Sequence, residues 1–149
     1  MAREELEQPD PRDIAGYRFH EALVLRFADQ DVMKHVNNVK FASLFESGRI
    51  AFWRKAGMFP WNEQEGLMLV RVSVDYMRQL HYPDTVKVAS RIKRIGNSSL
   101  QVRQGLFNGK GECCALAETT SAYSIFAEGR SAPIPPAFRA RLEHIQKTM

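Results

Sequence analysis

The chain is poor in the residues that build metal centres and disulfide frameworks. It has two cysteines, adjacent at Cys113 and Cys114, and four histidines scattered over 149 residues. Neighbours on a strand point to opposite faces, so these two thiols are badly placed to bridge each other. Two cysteines without a ring of histidines do not make a zinc site, so the expectation is two free thiols in a reducing compartment and no metal. Long apolar runs are also missing. The longest nearly uncharged stretch, Gly66 to Val70, is far below the roughly 18 residues that span a bilayer. Met1 to Asp13 is polar and acidic and offers no apolar signal-peptide core, which leads to an expected cytoplasmic location. Neither a glycine-rich phosphate loop nor a Gly-x-Ser-x-Gly nucleophile motif occurs.

Charge of one sign is scarce as well. The formal net charge is +4, too small and too dispersed to argue for a nucleic-acid partner, though it suits a phosphate-bearing small substrate. With 149 residues, 44% of them hydrophobic, the chain fits one domain with a core of its own.

The hydrophobic period changes along the chain. Residues 1 to 13, with Pro9 and Pro11, read as a solvated tail. Tyr17 to Phe27 reads as a strand, and Ala28 to Lys34 as a loop. Apolar residues then recur at Phe41, Leu44, Phe45, Gly48, Phe52 and Ala56, close to helical spacing. Asn37 or Asn38 is a suitable N-cap and Gly57 a suitable stop, so the spacing predicts a helix of about 27 Å over Val39 to Ala56. Ile50 and Trp53 put apolar groups on further sides of it, which predicts a largely buried helix. Beyond Gly66 the period becomes two: strands are predicted over Leu67 to Met77, Thr85 to Ile95, Ser99 to Phe107 and Glu112 to Phe126. Gly96-Asn97-Ser98 and Asn108-Gly109-Lys110-Gly111 are turns. A terminal helix is predicted over 136 to 147. Short turns imply antiparallel pairing, and one long helix must lie against one face of that sheet. The result is an α+β domain.

The densest group of chemically able residues is Asp29, Asp31, His35, Asn37, Asn38 and Glu46, at the entry to the long helix. The first N–H groups of a helix lack partners and the dipole favours negative charge there, so this junction can hold an oxyanion. A carboxylate nearby can attack a carbonyl or deprotonate a water that does.

The segment Arg26-Phe27-Ala28-Asp29-Gln30-Asp31-Val32-Met33-Lys34-His35-Val36-Asn37-Asn38 resembles the opening signature of the 4-hydroxybenzoyl-CoA thioesterase-like hotdog family. In its acyl-CoA thioesterase branch an Asp stands four residues before His-Val-Asn-Asn, followed by an aromatic, a Glu and an Arg; Phe41, Glu46 and Arg49 fill those places. Asp75-Tyr76-Met77-Arg78, Tyr82-Pro83-Asp84 and Ile95-Gly96-Asn97-Ser98-Ser99 resemble later motifs, so the similarity covers about Phe19 to Pro135. The resemblance implies a hotdog fold, a long helix against a curved antiparallel sheet of about five strands, and hydrolysis of an acyl-CoA to acid and CoA. By position it implies Asp31 as general base or nucleophile, the Asn38 amide as oxyanion donor, and His35 and Glu46 as orienting groups. It also places Ser98 and Ser99 near the thioester and pantetheine arm. No cofactor is implied, CoA being part of the substrate, and the family works as homodimers or homotetramers with shared sites. Two positions depart from the pattern: Lys34 stands where a small or amide residue is common, and Phe41 where Tyr is. Both bear on substrate choice.

Plainer readings stand beside these. Asp31 suits a cap or turn, and Asp29 an Asx turn or an ion pair with Arg26. Glu46 suits an ion pair with Arg49. Arg91, Lys93 and Arg94 suit CoA phosphates, or equally a solvated strand face. Trp53, Trp61, Phe52 and Phe59 suit an acyl pocket, or core packing. An acyl-carrier-protein thioesterase would use the same chemistry with a basic docking face, and a non-catalytic acyl-CoA-binding hotdog protein would use the same fold.

Overall fold

In the computed structural model, residues 8–149 are described. Strand β1 (Phe19–Val24) leads through a loop into helix α1 (Asn38–Lys55). Four strands follow, β2 (Glu65–Tyr76), β3 (Thr85–Ile95), β4 (Ser99–Phe107) and β5 (Cys113–Ile125). A two-residue strand β6 (Arg130–Ser131) and helix α2 (Pro136–Thr148) complete the chain. All pairings are antiparallel, in the order β1-β3-β4-β5-β2, with β6 on β5. This is the α+β hotdog arrangement: a curved sheet with the long helix on its concave face.

Alternation of side chains builds that face. Val88 and Ile92 of β3 and Val102 and Leu106 of β4 point at α1 and are buried. Register shifts at Leu69/Arg71, Ile92/Arg94 and Leu106/Phe107 add one residue to one strand of a pair, which bends and twists a sheet. Helix α1 approaches β3 closely because Gly48 has no side chain; a Cβ there would land on Val88. The expectation of a largely buried helix needs correction. α1 buries Phe41, Phe45, Gly48, Phe52 and Trp53, while Ala42, Ser43, Glu46 and Ser47 are exposed. Its apolar residues form one stripe, and the sheet covers only that side.

The other end of the concave face is filled by α2. Phe138, Leu142 and Ile145 pack with Phe52, Trp53 and Tyr123, and Phe59 and Trp61 join them. These aromatics therefore make core rather than a pocket beside the helix entry.

The outer face carries the segment before β1. Gln8 donates its side-chain amide to the Lys93 carbonyl at 2.9 Å. The Tyr17 hydroxyl donates to the Pro11 carbonyl at 2.8 Å. Residues 8–13 thus lie against the sheet through these hydrogen bonds while most of them stay exposed; the rest of the expected tail lies outside the described residues. Cys113 and Cys114 are both free thiols, and burial pushes Cys114 up to about 11. No helix among the described residues is long and apolar enough to cross a membrane.

Candidate active site

The loop between β1 and α1 folds by satisfying its own amides. Asp31 N–H donates to the His35 carbonyl at 2.8 Å, and Lys34 N–H donates to the Asp31 carbonyl at 3.0 Å. Lys34 turns the chain with φ 61°, in the left-handed region. The Asp31 carboxylate sits inside this turn. Its Oδ1 accepts from Met33 N–H at 2.8 Å and His35 N–H at 3.3 Å, while Oδ2 has no hydrogen bond among the described residues. One oxygen fixes the group and the other is left without such a bond, on a residue that lines the cleft described below.

The loop is anchored from behind. Val36 N–H donates to the Leu80 carbonyl at 2.9 Å and Asn37 N–H to the Asp29 carbonyl at 3.0 Å. Asp29 is buried, and its carboxylate accepts from Arg26 N–H at 2.8 Å and from the Arg26 guanidinium at 2.9 Å. Burial raises its pKa, but these bonds to Arg26 prevail and hold the carboxyl below its ordinary range. Asp29 is the structural member of the aspartate pair.

Asn37 caps α1, its Oδ1 accepting from Val39 N–H at 2.9 Å. Asn38 is the first helical residue, and its own N–H has no hydrogen bond among the described residues. Asp31, His35, Val36, Asn38 and Phe41 line a cleft of about 300 Å³ together with Tyr76, Met77, Arg78 and Gln79 from the end of β2. Phe41 and Tyr76 meet edge to face at 5.2 Å, and the Tyr76 hydroxyl lies 3.4 Å from the Asn38 carbonyl. The His35 ring packs on His81 at 5.2 Å. Tyr76, Met77 and Arg78 stand in a motif quoted above, but nothing in that motif marked them as cleft residues, and no sequence signal joined His81 to His35.

The other candidates fall elsewhere in the protomer. Glu46 is exposed on α1 outside the cleft, and Arg49 bonds to Gln104 at 3.1 Å rather than to Glu46. Ser98 and Ser99 lie at the β3–β4 turn; Ser99 is registered with Ala122 and so with Met68 of β2, whereas the cleft is at Tyr76. Those two levels are about 26 Å apart along β2 at 3.3 Å per residue. Arg91 reaches none of this: its guanidinium donates to the carbonyls of Gly16 and Pro9, both at 2.7 Å, and lies over the Tyr17 ring. Lys93 is ion-paired with Glu118 at 2.8 Å on the outer face, where Arg103 joins the same carboxylate at 2.9 Å. Among the described residues no group of three or more His, Cys, Asp or Glu is placed to hold a metal.

A carboxylate and the unpaired first amide of the long helix line one cleft on a hotdog sheet, an arrangement that suits attack on a carbonyl. The chain belongs to the thioesterase-like superfamily, whose family model matches residues 25–142. A thioesterase of Thermus thermophilus, solved with coenzyme A and zinc, is 28% identical; the match covers 88% of this chain and 96% of that one at a TM-score of 0.77. The PA5185 protein of Pseudomonas aeruginosa PAO1 is 27% identical over 91% of this chain and 97% of its own, at a TM-score of 0.79. The uncharacterized protein YsmA of Bacillus subtilis 168 is 29% identical over 99 residues, 66% of this chain and 67% of its own.

Proposed function

We propose that the protein hydrolyses an acyl-CoA thioester to the free acid and CoA, with Asp31 as the base. The observation that carries this is the pairing of a half-anchored Asp31 carboxylate with the free Asn38 N–H in one cleft. Asp31 Oδ2 takes a proton from water as the water oxygen attacks the thioester carbonyl. The Asn38 amide, at the positive end of the α1 dipole, bonds the oxyanion. Collapse breaks the C–S bond, and the CoA thiolate receives the proton held by Asp31. His35, over His81, orients the water. A cleft of about 300 Å³ is at the small end for a binding site, so it holds the thioester and the head of the acyl group while the rest of CoA runs outward.

We also propose that the working form is a homodimer joined along β2. β2 is the edge of the sheet, and it exposes Met68, Leu69, Val70, Val72 and Tyr76. A long apolar edge is a template for another strand. Antiparallel pairing of two β2 edges brings the Met68 level of one copy to the Tyr76 level of the other. It thereby carries Ser98 and Ser99 of the second copy toward the cleft of the first, which is how these serines can serve a site they do not reach within their own protomer.

The test is thiol release from a panel of acyl-CoAs, aliphatic and aromatic, beside matched acyl-carrier-protein thioesters. Turnover of a CoA ester is expected. Hydrolysis of carrier-protein esters alone would move the substrate to the carrier, and binding without hydrolysis of either would leave a non-catalytic protein.

A further inference from the structure

The flank of α1 that starts at Asn38 continues through Ala42, Glu46 and Arg49. The Tyr76 hydroxyl reaches the Asn38 carbonyl, so the start of this flank lies beside the end of β2. α1 packs on β1, β3 and β4, so a trough remains between the flank and the inner face of β2, where Val72 and Tyr76 are exposed.

Arg49 sits half-buried on the wall of this trough. Its only side-chain hydrogen bond among the described residues runs to Gln104 Oε1 at 3.1 Å, a neutral amide. Gln104 is fully buried and commits its own N–H groups to the Phe45 carbonyl at 3.0 Å and Ser90 Oγ at 2.9 Å. A guanidinium withdrawn from water with one neutral partner is costly unless a carboxylate meets it. Burial lowers its pKa, with only the field of Glu46 opposing. Glu46 itself is exposed and forms no ion pair among the described residues. The acid and the base therefore lie three residues apart on one flank, neither neutralised by the other.

Such a flank is complementary to its own copy. In a two-fold pair, if residue i meets j then j meets i, and two antiparallel helices crossing between these residues would match each acid to a base. The sheet puts Arg49 at a suitable level. Gln104 is registered with Ala117 and Ala117 with Val74, so Arg49 lies beside β2 and not beyond its ends, and an axis that pairs two β2 edges passes close to it. We infer that Glu46 of each copy pairs with Arg49 of the partner subunit, closing the trough between α1 and the inner face of β2. The inference rests on the β2 assembly proposed above. It gives Glu46 the role of setting how the two copies, and hence the two halves of each shared site, sit together.

Charge reversal tests it without substrate. Glu46→Arg leaves two cations on the flank, and Arg49→Glu leaves two anions. Each variant alone is expected to weaken the dimer by about 100-fold in Kd while keeping the circular dichroism of the native fold. Mixed in equal amounts, they should form a heterodimer by native mass spectrometry. Pairing within one helix cannot produce that result, because each variant has like charges on its own flank. Native-like self-association of either variant, or a mixture of two folded monomers, overturns the inference while leaving the β2 assembly and the catalytic reading intact. A monomeric native protein would overturn both the inference and the β2 assembly, with acyl-CoA hydrolysis still judged by thiol release. If the reversals do not fold, Glu46→Gln and Arg49→Gln decide: each should flatten the salt dependence of the dimer Kd, and an unchanged dependence overturns the pairing.

Discussion

Asp29 and Asp31 stand two positions apart and have opposite surroundings. Asp29 is buried against Arg26, whereas Asp31 is exposed and holds only one oxygen in its turn. Asp29 therefore contributes to stability. Its folded pKa lies below the ordinary value, so its contribution is present above about pH 4 and is lost as pH falls through the lowered folded value. Asp29→Asn should destabilise the protein by about 1–3 kcal/mol at pH 7, measured by urea denaturation, with the difference from native shrinking below about pH 4. Lys34 bears the strain of a positive φ. Lys34→Asn should raise stability by about 0.5–1 kcal/mol, because Asn tolerates the left-handed region better; a loss of stability in the same denaturation experiment would contradict this. The division between the two aspartates was legible in part: spacing flagged both, but which oxygen is free depends on how the turn folds around Asp31. The partners of Arg91 were not legible for a physical reason. Alternation tells which face a side chain takes, not what covers that face, and here the carbonyls of Pro9 and Gly16 cover it.

At the scale of elements, period two located β3 and β4 because Val86, Val88, Leu100 and Val102 are buried between more open neighbours, although Val88–Ser90 and Gln104–Phe107 are buried in unbroken runs. The helix N-terminus was legible from Asn37, whose side chain makes the expected cap. The register shifts were not, since a single extra residue leaves no mark in a pattern of hydrophobicity. Nor was the placement of β2 beside β5, which depends on contacts distant in sequence. The contact between α1 and β3 at Gly48 gives a direct check. Gly48→Ala forces a methyl group onto Val88 and should destabilise the fold by about 1–3 kcal/mol, even though Ala favours a helix more than Gly does. A neutral or stabilising result in thermal unfolding would show that α1 can lift from the sheet at no cost.

For the whole molecule, the protomer leaves two features unfinished: the apolar outer edge of β2 and the distance between the cleft and the Ser98–Ser99 turn. The proposed two-fold axis along β2 would resolve both. The resemblance implied shared sites, but composition and periodicity could not point to this edge, because each feature alone has an ordinary reading, an exposed strand and a polar turn. Val72→Lys places a charge on the exposed inner face of β2 and should raise the dimer Kd by tenfold or more, about 1.4 kcal/mol, in sedimentation velocity. Thiol release should fall with the fraction of dimer. Full activity in a monomer would mean that each protomer holds a complete site.

The most direct test of the account is the turnover of an acyl-CoA by the native protein and by Asp31→Ala, compared at saturating substrate. The loop keeps its Asn37 cap and the buried Asp29–Arg26 pair in this variant, so the fold should hold. In the variant kcat should fall by at least ~100-fold, the scale of a lost general base, with melting temperature little changed. A folded variant with kcat within a few-fold of native would contradict the assignment of Asp31 and with it the proposed chemistry of the cleft.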